Sequence, residues 1–163
     1  KLFEEIELKG KDLSLKLYGA RALMALRLEK NWGAWTLDFR PDFTAAESGL
    51  DVFINWKKDF VGKEASLIEK KQGIKKKLVT MTIDTKDIDV TNDEAILKNN
   101  KCVGYITSGG YAHHVKKSMA LGYVPEELSK HETVLDVEIN GKLYPAHVTD
   151  RPLYDANGQK MRT

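Results

Sequence analysis

The sequence predicts an α+β protein in two parts, a mixed helical stretch up to about residue 73 and an all-β unit after it. Three observations carry that reading. The front contains apolar residues at helical spacing that stop at Gly10 and again near Gly33. From Leu78 onward the period switches to two, as in strands. Asn140-Gly141 stands between two alternating runs, a strong short-range signal for a hairpin.

Taken in order, Leu2, Phe3, Ile6 and Leu8 among acidic residues predict a short amphipathic helix ending at Gly10. A second helix is expected from about Ala20 to Lys30. Leu23, Met24, Leu26 and Leu28 supply its apolar positions; Arg21, Arg27 and Glu29 are its charged ones. Asn31-Trp32-Gly33 should stop it, with the glycine relieving the backbone. Trp32, Trp35, Phe39 and Phe43 then crowd a loop around Pro41. The run Leu50 to Trp56 reads as a strand with one buried side, and Gly62 to Lys71 as a helix. Lys75-Lys76-Lys77 marks a boundary and a solvated strand entry, because acids follow soon after it. Beyond it, Leu78–Ile83, Ala95–Leu97, Cys102–Ser108, Ser118–Val124, Leu135–Ile139 and Leu143–Val148 read as strands. Several short strands without a convincing helix indicate a small antiparallel barrel or sandwich.

Composition excludes several functions. The chain has 26 basic and 24 acidic residues, a formal net charge of +2. The signs are mixed throughout: eight basic against eight acidic in residues 1–50, ten against nine in 51–100, eight against seven in 101–163. Nucleic-acid binding needs basic clustering, so no nucleic-acid partner is expected. No apolar run approaches the ~20 residues of a membrane-spanning helix, so no membrane partner is expected either. The single Cys102 offers neither an internal disulfide nor a thiolate cluster and reads as a small buried residue in a reducing compartment. The acidic, interrupted first residues lack a targeting pattern, which together with the cysteine suggests a cytoplasmic setting. They also lack an initiator Met, as a piece of a longer chain would.

Chemistry-bearing motifs are sparse. His113-His114 are adjacent, so on a strand they would face opposite ways, and His131 and His147 have no ligand spacing; no metal site is expected. Gly109-Gly110 is not followed by a Lys-Ser or Lys-Thr pair, so it reads as a tight turn rather than a phosphate loop. Arg21, at the start of an apolar helix, is either a surface residue or ion-pair partner, or a clamp for a ligand carboxylate or phosphate.

Gly19-Ala20-Arg21 through Leu26-Arg27-Leu28-Glu29 resembles the G-x-R-x-x-x-x-L-R-L-E segment of the glycine-cleavage T-protein (aminomethyltransferase) superfamily. Thr44 to Leu50 resembles its T-P-x-E-x-G-L stretch, with Ala45 in place of proline, and Phe60 to Ala65 its F-I-G-K/R-E-A. Val103 to Gly110 and Met119 to Pro125 resemble its G-x-x-T-S-G…A-x-G-Y-V signature. These resemblances occur in family order over nearly the whole chain. The wording of Arg27–Trp32 and Ser108–His114 is most similar to the dimethylglycine and sarcosine dehydrogenase branch.

The resemblance implies the tail of an α/β folate-binding domain in residues 1–73 and a C-terminal β-barrel domain in 74–163. It implies tetrahydrofolate as ligand, accepting a one-carbon unit from an N-methyl amine. Arg21 would contact the folate and Tyr154 would close over it, while Arg27 and Glu29 would hold their helix to neighbouring elements. The family's acid–base carboxylate would lie before Lys1, so no catalytic residue is expected within the chain. FAD would belong only to a domain further upstream. A chain cut there should also expose an apolar patch that self-association or the missing half would bury. The alternatives are a barrel serving as a scaffolding or interaction module without ligand, or a stand-alone T-protein-like transferase or demethylase.

Overall fold

The computed structural model describes residues 1–162. Three helices, α1 (Leu2–Gly10), α2 (Ala20–Glu29) and α3 (Lys63–Gln72), precede six strands. These are β1 (Lys76–Ile83), β2 (Ala95–Lys98), β3 (Lys101–Ala112), β4 (Lys117–Pro125), β5 (Val134–Ile139) and β6 (Lys142–Thr149). All pair antiparallel into one closed barrel in the order β1-β4-β3-β2-β5-β6, with β6 returning to β1. Of barrel and sandwich, the barrel is the architecture formed.

Turn chemistry explains the hairpins. Asn140 and Gly141 both take positive φ (49° and 75°), as do Asn99 and Asn100 between β2 and β3 (52° and 61°). That geometry matches the twist of the flanking strands. Inside the ring, Val79, Met81, Ile83, Ile96, Ile106, Ala120, Val124, Leu135, Val137, Ile139, Ala146 and Val148 form the core. Val90, from the loop between β1 and β2, joins them. The outward face is polar only in part. Thr80, Thr82, Met119, Leu121 and Tyr123 are buried too, so β4 is buried at seven successive positions. Part of that cover comes from α2, whose end packs on β3 and β4.

Several sequence expectations are corrected. The run Leu50 to Trp56 is not a strand; it holds a 3-10 turn at Asp51–Phe53, and Val52 and Phe53 are exposed. A closed barrel leaves no free edge for another strand to join. Gly109-Gly110 lies within β3 rather than in a turn, while His113 and His114 occupy the turn between β3 and β4 rather than a strand. In α2 the buried residues are Arg27, Leu28 and Glu29, whereas Leu23 and Leu26 are exposed. The helix meets the barrel with its last turn instead of along a stripe, so burial follows the end and not the period. Its stop is Asn31, in the left-handed region at φ 56°, and Gly33 instead faces the Phe39 ring with no room for a side chain. Cys102 is exposed at the start of β3, its thiol directed to the Gly104 carbonyl at 3.4 Å. The expected apolar surface of the front is present: Leu2, Phe3, Ile6, Leu8, Leu13 and Leu17 are exposed.

At Gly109 a Cβ would lie 2.7 Å from the Val90 carbonyl oxygen and 2.8 Å from its side chain. Neither strand nor crossing loop can retreat without opening the core. Gly109→Ala should therefore cost about 1–3 kcal/mol, read as a lower urea midpoint with unchanged slope.

Candidate functional site

The site begins with what holds α2 in place. Asp38, fully buried, accepts four hydrogen bonds on its carboxylate. Arg27 Nη1 and the Ala34 backbone N–H donate to Oδ2 at 2.6 and 2.7 Å. The hydroxyls of Thr107 and Ser108 both donate to Oδ1 at 2.5 Å. Two successive strand residues ordinarily face opposite sides. Here the register between β3 and β4 shifts between Ile106 and Ser108, and the bulge turns both hydroxyls toward one carboxylate. Tyr123 OH donates to the Asp38 carbonyl at 2.9 Å and accepts from Ser48 Oγ at 2.7 Å, while its ring stacks on Phe43 with centroids 3.5 Å apart. Burial pushes the Tyr123 phenol above its ordinary range, the Ser48 hydrogen bond opposes this, and the Asp38 charge reinforces it. Asn31 completes the attachment by accepting from Thr80 Oγ1.

Along α2 so held runs a groove of about 670 Å³. Ala22, Met24, Ala25 and Leu26 form one wall; Val90, Gly109, Gly110, Tyr111 and His113 form the other. Arg21, Glu29, Asp89 and Thr91 supply its polar groups. Arg21 is exposed and has no hydrogen bond or ion pair among the described residues. Glu94 steadies the floor by accepting the Thr91 N–H at 2.9 Å; burial raises its carboxyl above the usual range, against the pull of that bond. The groove can take an extended, partly apolar ligand with a negative group at the Arg21 end.

The two residues expected at a folate site do not share this cavity. Arg21 lines it near the start of α2, whereas Tyr154 lies beyond the other end of that helix. The Tyr154 ring rests against His114 with centroids 4.4 Å apart, its N–H donates to the Glu29 carbonyl at 3.2 Å, and its hydroxyl accepts from Lys160. Arg27 and Glu29 do hold the helix to its neighbours, through Asp38 and through His114. Sequence reasoning missed Asp38 and the Thr107-Ser108 pair, whose partners lie 69 and 70 residues apart in the chain. Among the described residues no group of His, Cys, Asp and Glu is arranged to hold a metal ion, and no helix is long and apolar enough to cross a membrane.

The fold is a closed barrel capped by the end of a helix that borders a groove, and comparison with known proteins identifies its class. Residues 76–155 match the family described as the glycine cleavage T-protein C-terminal barrel domain, and residues 1–58 match the GCVT N-terminal domain. The chain belongs to the glycine-cleavage T-protein superfamily. It is 40% identical over 154 residues to the human mitochondrial dimethylglycine dehydrogenase, covering 93% of this chain and 18% of that protein. It is 36% identical over 148 residues to an aminomethyltransferase of Picosynechococcus, covering 90% of this chain and 40% of that one. The crystal structure of the glycine cleavage system aminomethyltransferase T from Bartonella henselae superposes with a TM-score of 0.79 at 25% identity, over 86% of this chain and 40% of that one. The chain thus spans 18% of the dehydrogenase and about 40% of the transferases it matches.

Asp38→Asn leaves the Arg27 charge buried without its counter-ion, so denaturant unfolding should show a loss of about 3–5 kcal/mol. For Tyr123 the folded state favours the protonated phenol. Its contribution is complete below the unfolded phenol's pKa of about 10 and is lost as pH rises toward the higher folded value. Urea midpoints should therefore fall more steeply above about pH 10 in the wild type than in Tyr123→Phe.

Proposed function

We propose that the protein transfers a one-carbon unit from an N-methyl amine to tetrahydrofolate, and that this chain supplies one wall of the folate site. In this reading residues 1–73 belong to the folate-binding domain and 74–163 to the barrel that packs beside it. The exposed Arg21 at the mouth of the groove is the observation that carries it. Tetrahydrofolate is long, planar at one end and carboxylated at the other. An apolar channel with an uncommitted guanidinium suits that shape and charge, the guanidinium forming a two-pronged clamp on a carboxylate.

Each element then has a task. Arg21 orients the folate tail. The Met24 wall and Tyr111 exclude water from its apolar part. Tyr154 acts indirectly, by anchoring the C-terminal strap at Glu29, which borders the groove. The acid–base step is assigned to residues outside this chain. Similarity to dimethylglycine dehydrogenases supports a parent that oxidises its amine before transfer, with any flavin held elsewhere. No residue here is assigned to flavin.

Titrating the full-length protein with tetrahydrofolate by calorimetry tests the reading. Arg21→Ala should weaken binding about ten- to a hundredfold, the value of a hydrogen bond to a charged group. Equal affinity in both proteins would remove Arg21 from the site, and no binding by the wild type would remove the site itself.

A further inference from the structure

Glu29 does more than end a helix. Its carboxylate is buried, with 1% exposure, yet it borders the groove. Oε1 accepts the backbone N–H of His114 at 2.7 Å and Oε2 lies 2.7 Å from Nδ1 of the same histidine. An ionised carboxylate can only accept, so Nδ1 must carry a proton, which leaves Nε2 as the unprotonated nitrogen of the neutral ring. The His114 ring is about half exposed and lies against Tyr154. The Glu29 carbonyl accepts from the Tyr154 N–H at 3.2 Å, and next to it Lys30 Nζ donates to the carbonyl of Asp155 at 2.5 Å.

A single residue therefore grips two segments distant in sequence. One is the turn 113–116, whose His113 and neighbouring Tyr111 form the outer wall of the groove. The other is the C-terminal strap around Tyr154. The geometry points to Glu29 as a positioning residue of the groove, acting through His114 and holding turn and strap in one arrangement on α2. The ligand named in the test rests on the folate reading above; the positioning role does not.

The experiment uses the full-length protein with Glu29→Gln, His114→Ala and the double variant. Three quantities are read: amide hydrogen exchange at 111–117 and 153–156, the His114 tautomer by long-range 1H–15N spectra, and tetrahydrofolate affinity. Wild-type His114 should be protonated at Nδ1 when neutral. In Glu29→Gln the side-chain amide must donate to Nδ1, so the tautomer should change to Nε2–H. Exchange should rise at least about tenfold at 111–117 and less at 153–156, whose bonds to the Glu29 carbonyl and Lys30 Nζ the substitution keeps, and affinity should fall about ten- to a hundredfold, as for loss of a charge-assisted bond. The double variant should show no greater loosening of 111–117 than Glu29→Gln.

An Nε2–H tautomer in the wild type, or unchanged exchange at 111–117 in Glu29→Gln, would overturn the proposal. Should Glu29→Gln not fold, His114→Ala decides the matter, because it leaves the carboxylate its backbone donor; unchanged exchange at 111–117 there would also overturn it. A wild type that shows the coupled exchange but binds no tetrahydrofolate supports the positioning role and rejects only the folate reading.

Discussion

The attachment of helix to barrel is centred on one fully buried carboxylate, with the Asn31 and Glu29 contacts beside it. Asp38 sits where the loop after α2 passes over β3, and four donors from two parts of the chain converge on it. Burying it together with Arg27 carries a large desolvation cost, and a well-packed apolar pair could be as stable. Arg27 also leaves Nε and Nη2 buried without a partner among the described residues. What the pair gives in return is placement. An apolar contact tolerates sliding, whereas an acceptor fixed by a guanidinium, a backbone N–H and two hydroxyls does not. The groove along α2 inherits that definition, since its two walls belong to the two bodies that Asp38 joins.

How much of this is legible in the sequence follows from the range of each interaction. Local signals are sound: the alternation of β1, the Asn140-Gly141 turn and the helix opening at Gly19-Ala20 all correspond to elements of the structure. Signals that depend on what lies opposite are not. Leu50 to Trp56 has strand composition, but strand formation needs an unpaired neighbour, and ring closure removes it. By periodicity Arg27 and Glu29 read only as charged positions of the helix, and nothing local shows that they are its most buried charges, because the helix docks by its end. Asp38 has no pattern around it at all; its partners arrive through a bulge in a strand about seventy residues away.

The candidate site divides the same way. Arg21 is placed at the groove as a residue available to a ligand, whereas Tyr154 stands at the far end of α2 and touches His114, not the cavity. Glu29 connects them: side chain at the groove, carbonyl on Tyr154. The T-protein relatives are about two and a half to five and a half times as long as the stretch they share with this chain.

The strand order has a consequence for how the protein comes into being. β1 is the first strand made, yet both its neighbours, β4 and β6, are made later. During synthesis the hairpins β3–β4 and β5–β6 can form from adjacent sequence, while one side of β1 must wait until Thr149 has emerged. Until then Val79, Met81 and Ile83 have no closed interior to enter. The nascent chain therefore has an interval, from the emergence of β1 to that of β6, in which these apolar side chains lack their closed interior.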